Sequence, residues 1–174
     1  MANSDNPRGF RLYKQGGRQV RRVKRSVAVG NPTVLAPGDG YIITTDGTAI
    51  LCTTILVEGI IESIELQAKS GEGPESADYL PATTVGNIIG IEDDDAEFVV
   101  QMLDTVALAD MDSGAKVDVV LTAASTTLRE SRQEVDNVAT GAALKLIGKA
   151  DYPGNAYGET NCDVIVKLLP ANVQ

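Results

Sequence analysis

Short runs of apolar residues, separated by turn sequences, recur along the chain from residue 26 onwards. Ser26–Val29 alternates and Lys116–Leu121 does so in part, a period of two that is typical of strands that bury one face. The runs are rich in valine, isoleucine and threonine, which favour strands. The strands predicted with the clearest pattern are Tyr41–Thr45, Thr48–Thr53, Ile55–Glu65, Thr84–Ile91, Glu97–Met102, Lys116–Leu121, Ala142–Lys149 and Asp163–Leu169.

Turn sequences divide these runs into short pieces. Ala36–Gly40 is a dense turn signal, and Asp46-Gly47 suits a tight hairpin turn. Gln67–Thr84 reads as a long surface loop, and Thr122–Asn137 as a loop with a candidate edge strand. Because no long amphipathic helix interrupts the pattern, we predict an all-β fold, either a small barrel or a sandwich.

The first 25 residues differ from the rest in charge. They hold eight of the fifteen Lys and Arg residues and one of the 24 acids, so their net charge is +7 while the remaining 149 residues carry −16. Their few apolar residues are scattered, and such a segment does not bury enough apolar area to offset its ordering entropy. We therefore predict a basic, extended N-terminal arm over residues 1–25, ordered only against a partner, and a single β domain over residues 26–174.

The arm contains the candidate binding residues. Cations of this kind pair with carboxylates or phosphates, while the apolar residues among them are candidate anchors. The predicted set is Arg8, Phe10, Arg11, Leu12, Tyr13, Lys14, Arg18, Arg21, Arg22, Lys24 and Arg25.

The composition argues against catalysis. The chain has no histidine, which removes the commonest general base and metal ligand. Glu92–Asp95 groups four acids that a divalent cation could use, but an acidic turn between strands is the favoured interpretation. We predict no catalytic site, metal or cofactor, and we expect Cys52 and Cys162 to be free, buried thiols.

The sequence shows no sign of a membrane or secreted protein. No apolar stretch follows the basic N-terminus as in a signal peptide. The most apolar stretch, Ala49–Ile61, contains polar residues and is too short to span a bilayer. We therefore expect a soluble protein made in a reducing cytoplasm, without a membrane partner.

The opening decapeptide, Met1–Phe10, resembles the N-termini of capsid decoration, or cement, proteins of tailed bacteriophages. The resemblance covers most of the chain, although Arg18–Arg25 is more basic than the family pattern and Gln67–Pro81 has no counterpart. The further segments that carry it are Gly38–Gly40, Val85–Glu92, Phe98–Gln101, Ala109–Asp118, Ser131–Asp136, Ala143–Gly148 and Asn161–Lys167.

The resemblance implies a non-enzymatic virion protein on the outer surface of the assembled capsid. Such a protein binds the major capsid protein at junctions between subunits and holds them together. It often forms dimers or trimers with copies of itself, and its N-terminal arm reaches onto the capsid or a neighbouring copy.

Two alternatives remain open at the level of sequence. One is another virion component, such as a head–tail connector, collar or tail protein with a similar β fold. The other is a nucleic-acid-binding β-barrel that grips phosphates with the basic arm. The −16 charge of the remaining residues argues against nucleic acid as a partner, because it would repel a polyanion.

Overall fold

The computed structural model describes residues 7–14, 19–31, 33–66, 75–103, 114–136, 143–156 and 160–170. Within these residues the chain forms β-strands and no helix. The strands are β1 (Arg11–Lys14), β2 (Arg22–Ser26), β3 (Gly40–Ile43), β4 (Ala49–Leu51), β5 (Gly59–Leu66), β6 (Glu75–Ala77), β7 (Gly86–Ile91), β8 (Glu97–Gln101), β9 (Lys116–Val120), β10 (Glu134–Asp136), β11 (Leu144–Lys149) and β12 (Asp163–Leu168).

The strands form two antiparallel sheets of six strands each. The first sheet has the order β1-β8-β12-β11-β9-β10. The second has the order β2-β7-β5-β3-β4, and β6 pairs with β5 beside this path. The prediction of an all-β fold is confirmed, and the arrangement is sandwich-like.

Both sheets curl so strongly that strands distant in the sheet order meet. In the first sheet a bridge joins Met102, which follows β8, to Val135 in β10. In the second, a bridge joins Val27, which follows β2, to Ala49 in β4. Among the described residues these contacts are isolated bridges rather than full ladders, so neither sheet closes into a barrel there.

The larger core lies between the sheets. On β8 and β12 the residues of one face, such as Phe98, Val100 and Val166, are fully buried in it. Ile60 and Ile91 of the second sheet pack into the same cluster. The two sheets therefore share one apolar core, as expected from strands that alternate between two faces.

A smaller core lies inside the curl of the second sheet and is centred on Tyr41. A Cβ atom on Gly90 would lie 2.1 Å from the Tyr41 hydroxyl oxygen, and one on Gly59 would lie 2.5 Å from that oxygen. Glycine at these two positions leaves the space that the tyrosine ring occupies. The hydroxyl donates a hydrogen bond to Glu92 Oε1 at 2.9 Å.

The predicted hairpin at Asp46-Gly47 is confirmed. Gly47 has a φ of 82°, and the Thr44 amide donates to the Thr48 carbonyl at 2.9 Å, which joins β3 to β4. The predicted edge strand within Thr122–Asn137 is β10. The loop predicted over Gln67–Thr84 contains the short strand β6, which the pattern did not reveal.

The N-terminal residues differ most from their prediction. Residues 7–26 of the described chain, which we call the N-terminal segment, supply β1 to the first sheet and β2 to the second. Phe10 and Val20 are 3% and 4% exposed and belong to the shared core. Since β2 runs across the boundary predicted between residues 25 and 26, the segment is part of the β body and not a separate extended arm.

Candidate interaction surface

The N-terminal segment is anchored first at a close contact of two glycines. Gly9 and Gly38 have φ values of 65° and 92°, and the Phe10 amide donates to the Gly38 carbonyl at 2.8 Å. A Cβ atom on Gly9 would lie 2.2 Å from Ser131 Oγ. Only a residue without a side chain permits this approach, and it places Phe10 in the core.

The second anchor is a partly buried ion pair. Arg25 donates to both oxygens of Glu92, from Nε at 2.7 Å and from Nη2 at 2.8 Å. Arg21 lies 3.7 Å from the same carboxylate. Burial favours the neutral acid, but the hydrogen bonds from Arg25 and Tyr41 outweigh it and lower the pKa of Glu92. Burial, followed by the hydrogen bond to Glu92, raises the pKa of Tyr41.

Two further ion pairs cross the outer face of the second sheet. Arg22 makes a bidentate pair with Glu62 at 2.6 and 2.8 Å, and Lys24 pairs with Glu65 at 2.5 Å. The cations are on β2 and the acids on β5, so the side chains span the intervening strand β7. The hydrogen bond to Glu62 raises the pKa of Arg22. Exposed pairs of this kind contribute about 0–1 kcal/mol each.

A further ion pair ties β1 to the first sheet. Arg11 Nη2 donates to Asp163 Oδ2 at 3.0 Å, and the Tyr152 hydroxyl donates to the same oxygen. Burial, with the hydrogen bond to Asp163 as the next cause, raises the pKa of Tyr152. The Arg11 guanidinium therefore lies across β8 and fixes β1 to the strand beyond it.

The acidic turn Glu92–Asp95 holds the segment as well. Asp93 is buried, and its Oδ1 accepts the Asp95 amide at 3.0 Å while its Oδ2 accepts the Arg21 amide at 3.2 Å. This supports the interpretation as an acidic turn between strands. No group of three or more His, Cys, Asp and Glu side chains is placed to hold a metal ion in the part of the chain that the structure describes.

The outer edge of β1 is the exposed part of the segment. Within the described residues no strand pairs with this edge, and Tyr13 and Lys14 are exposed beside it. The register against β8 shifts between Leu12 and Lys14, which places Tyr13 at an irregularity. Tyr13 keeps 49% of its surface exposed, a large apolar group at an unpaired edge.

The predicted binding residues therefore divide into groups. Phe10 is in the protein's own core, and Leu12 packs against that core. Arg11, Arg21, Arg22, Lys24 and Arg25 pair with acids of the same chain. Arg8, Tyr13 and Lys14 are exposed, and Arg18 lies outside the described residues.

Sequence reasoning missed the acidic side of this surface. Glu62, Glu65, Glu92 and Asp163 are spread over 102 positions of the chain, and only the fold brings them to the N-terminal segment. The opposite net charges of the segment and the body were the available signal. They indicated a basic segment with an acidic partner, but not that the partner is its own body.

The two cysteines are free and buried, as predicted. Burial raises the pKa of the Cys52 thiol to about 12, with a smaller effect of the Asp39 charge. Burial also raises the pKa of the Cys162 thiol to about 11. Both side chains therefore act as small apolar core residues rather than as nucleophiles.

Comparison with known proteins found no matching family model, no matching curated protein and no matching solved structure. The described residues also contain no helix long and apolar enough to cross a membrane. The geometry of the surface and the sequence resemblance are thus the basis for a functional proposal.

Proposed function

We propose that this protein is a virion decoration protein that binds the outside of an assembled bacteriophage capsid. In this role it bridges neighbouring major capsid protein subunits and has no catalytic activity. The sequence resemblance supplies the family, and the exposed edge of β1 is the structural observation that supports it. An unpaired strand edge can accept an extended segment of a partner through main-chain hydrogen bonds.

Tyr13 is the strongest single contact that this edge offers. Full burial of a tyrosine side chain removes about 150–250 Å² of its surface from water. About half of the Tyr13 surface is still exposed. Burying that remainder contributes about 2 kcal/mol at 25 cal/mol per Å². Lys14 adds charge complementarity to an acidic partner, worth about 0–1 kcal/mol.

One edge contact is weak, so retention on a capsid requires several to act together. If two or three copies associate, each extra edge binds at a high effective concentration and raises avidity without new kinds of contact. Association as a dimer or trimer on local symmetry axes is therefore part of the proposal, and it supplies the affinity that Tyr13 and Lys14 lack alone.

The test is a double substitution at the β1 edge, Tyr13→Ser with Lys14→Glu. Binding to undecorated capsids of the same virus should weaken at least tenfold, measured as occupancy against protein concentration. Leu128→Ser is the matched control, because Leu128 is 65% exposed in the turn before β10. The proposal fails if the double variant saturates capsids at the wild-type concentration.

Deletion of residues 1–25 would not test the proposal cleanly. It removes β1, most of β2 and the buried side chains of Phe10 and Val20. Loss of a buried phenylalanine alone costs about 3–5 kcal/mol, so a truncated protein that failed to bind could simply have failed to fold.

A further inference from the structure

The carboxyl of Asp39 is buried where the N-terminal segment meets the body. Asp39 is 1% exposed, and its Oδ2 accepts a hydrogen bond from the Ala36 amide at 2.8 Å. Oδ1 has no hydrogen-bond partner within the described chain. The Ser131 hydroxyl is near enough to favour the charged form but makes no well-aligned hydrogen bond to Oδ1. A buried charge without a partner is costly, so this oxygen requires an explanation.

The loop that carries Asp39 joins three parts of the molecule. The Gly38 carbonyl accepts the Phe10 amide of the N-terminal segment at 2.8 Å, and the Gly38 amide donates to Ile61 of β5 at 2.8 Å. The Gly40 amide donates to Gln133 Oε1 at 2.8 Å. Ser131 lies beside the Asp39 carboxyl and also beside Gly9, so the carboxyl is next to the contact that holds the segment.

A surface crevice runs beside this contact. A crevice of about 220 Å³ lies along the segment, between Phe10 and Leu12 on one side and Pro37, Ile61 and Phe98 on the other. The crevice is open to solvent and lies beside the contact at Gly38.

We propose that Asp39 is a proton-sensitive latch for the N-terminal segment. With a neutral carboxyl the latch holds residues 8–10 against the 36–40 loop, and with an ionised carboxyl the contact loosens. The segment then opens locally while the rest of both sheets stays folded. This proposal does not depend on the proposed function, although an opened β1 would change the edge offered to a partner.

The direction of the effect follows from burial. Burial raises the pKa of Asp39 from 3.8 to about 6, against smaller opposing effects of Ser131 and the Ala36 amide. In the opened state the carboxyl meets water and its pKa returns toward 3.8. Docking is therefore strongest below about pH 4 and weakens as the pH rises through about 6, by up to about a hundredfold in the docking equilibrium.

Other ionisable groups also lie near this contact. The Cys52 thiol faces Asp39, but burial keeps it neutral through this range. Charged residues on the adjoining elements are Arg8, Glu62 and Arg132, which have exposed side chains, and Glu134, which is buried in β10 opposite Val120. Because Asp39 directly follows Gly38, whose carbonyl accepts the Phe10 amide, we assign the pH dependence to Asp39.

Amide hydrogen exchange of the full-length protein, measured by NMR between pH 4.5 and pH 7.5, tests the latch. After correction for intrinsic rates, protection of the Phe10 amide should fall as the pH rises from 4.5 to about 6, by roughly tenfold per pH unit, and should level off above pH 6. The Leu80 amide, which donates to the Leu35 carbonyl at 2.7 Å, is the control and should change little. Constant protection of Phe10, or an equal fall at both amides, would overturn the proposal.

Two further measurements separate the latch from a general effect on folding. Carboxyl ¹³C titration of the unaltered protein should give a midpoint near 6 for Asp39, and a midpoint near 4 contradicts the latch. Ser131→Ala should move that midpoint upward, because the hydroxyl favours the charged form; an unmoved or lower midpoint contradicts it. Asp39→Asn should make the protection of Phe10 independent of pH, and persistence of the pH dependence would overturn the assignment.

Discussion

At the scale of single residues, the fold depends on glycines placed against large side chains. Tyr41 fills the inside of the second sheet because Gly59 and Gly90 leave room for its ring. Its hydroxyl donates a hydrogen bond to Glu92, which also accepts a hydrogen bond from Arg25. One aromatic side chain thereby links the packing of the sheet to the attachment of the N-terminal segment.

Gly90→Ala should destabilise the protein by about 2–3 kcal/mol, because the added methyl group would lie 2.1 Å from the Tyr41 hydroxyl oxygen. Urea unfolding measures the loss. Gly30→Ala is the matched control: Gly30 has a φ of 81°, but a Cβ atom there meets nothing within 4 Å. Backbone strain alone costs about 1 kcal/mol, so equal losses in the two variants would contradict the packing role of Gly90.

At the scale of elements, β2 is held by ion pairs of unequal worth. The Glu92 side chain is largely buried. It forms ion pairs with Arg25 and Arg21 and accepts a hydrogen bond from Tyr41. Glu62 and its partner Arg22 are more exposed. A buried charge left without its partner costs more than an exposed one, so the attachment of β2 depends mainly on Glu92.

Glu92→Gln should therefore reduce the free energy of unfolding by about 2 kcal/mol at neutral pH, and Glu62→Gln by less than about 1 kcal/mol. Because the pKa of Glu92 is lowered in the fold, its contribution is present above its ordinary pKa and is lost as the pH falls below it. Chemical denaturation at pH 7 and pH 3 measures both effects. If the Glu92→Gln variant were as stable as the Glu62→Gln variant at pH 7, the predicted difference between the contributions of the two acids would be contradicted.

The sequence predicted the strands that are rich in apolar, β-branched residues and missed those that are not. Glu97–Met102 and Asp163–Leu169 are nearly continuous apolar runs and became β8 and β12. Strand β2 reads Arg-Val-Lys-Arg-Ser, a charged pattern that gave no sign of a strand. Its polar faces are stabilised by Glu62, Glu65 and Glu92, and contacts so distant in sequence exist only once the fold has formed.

At the scale of the whole molecule, the opposite charges of the N-terminal residues and the body act largely within one chain. The +7 of the first 25 residues faces the −16 of the remainder, and five of the segment's cations pair with acids of the body. This arrangement disfavours a phosphate-binding arm, since cations already paired release fewer counterions on binding. Tyr13 and Lys14, at the β1 edge, are exposed and make no such ion pair among those described.

Electron cryomicroscopy of the virus particle tests the central proposal most directly. We expect density for the two-sheet body at many equivalent positions on the outer capsid surface, at junctions between major capsid protein subunits. In that density the β1 edge and Tyr13 should contact the capsid protein. Copies confined to a single vertex or to the tail, or a β1 edge that faces solvent on the shell, would contradict the proposal.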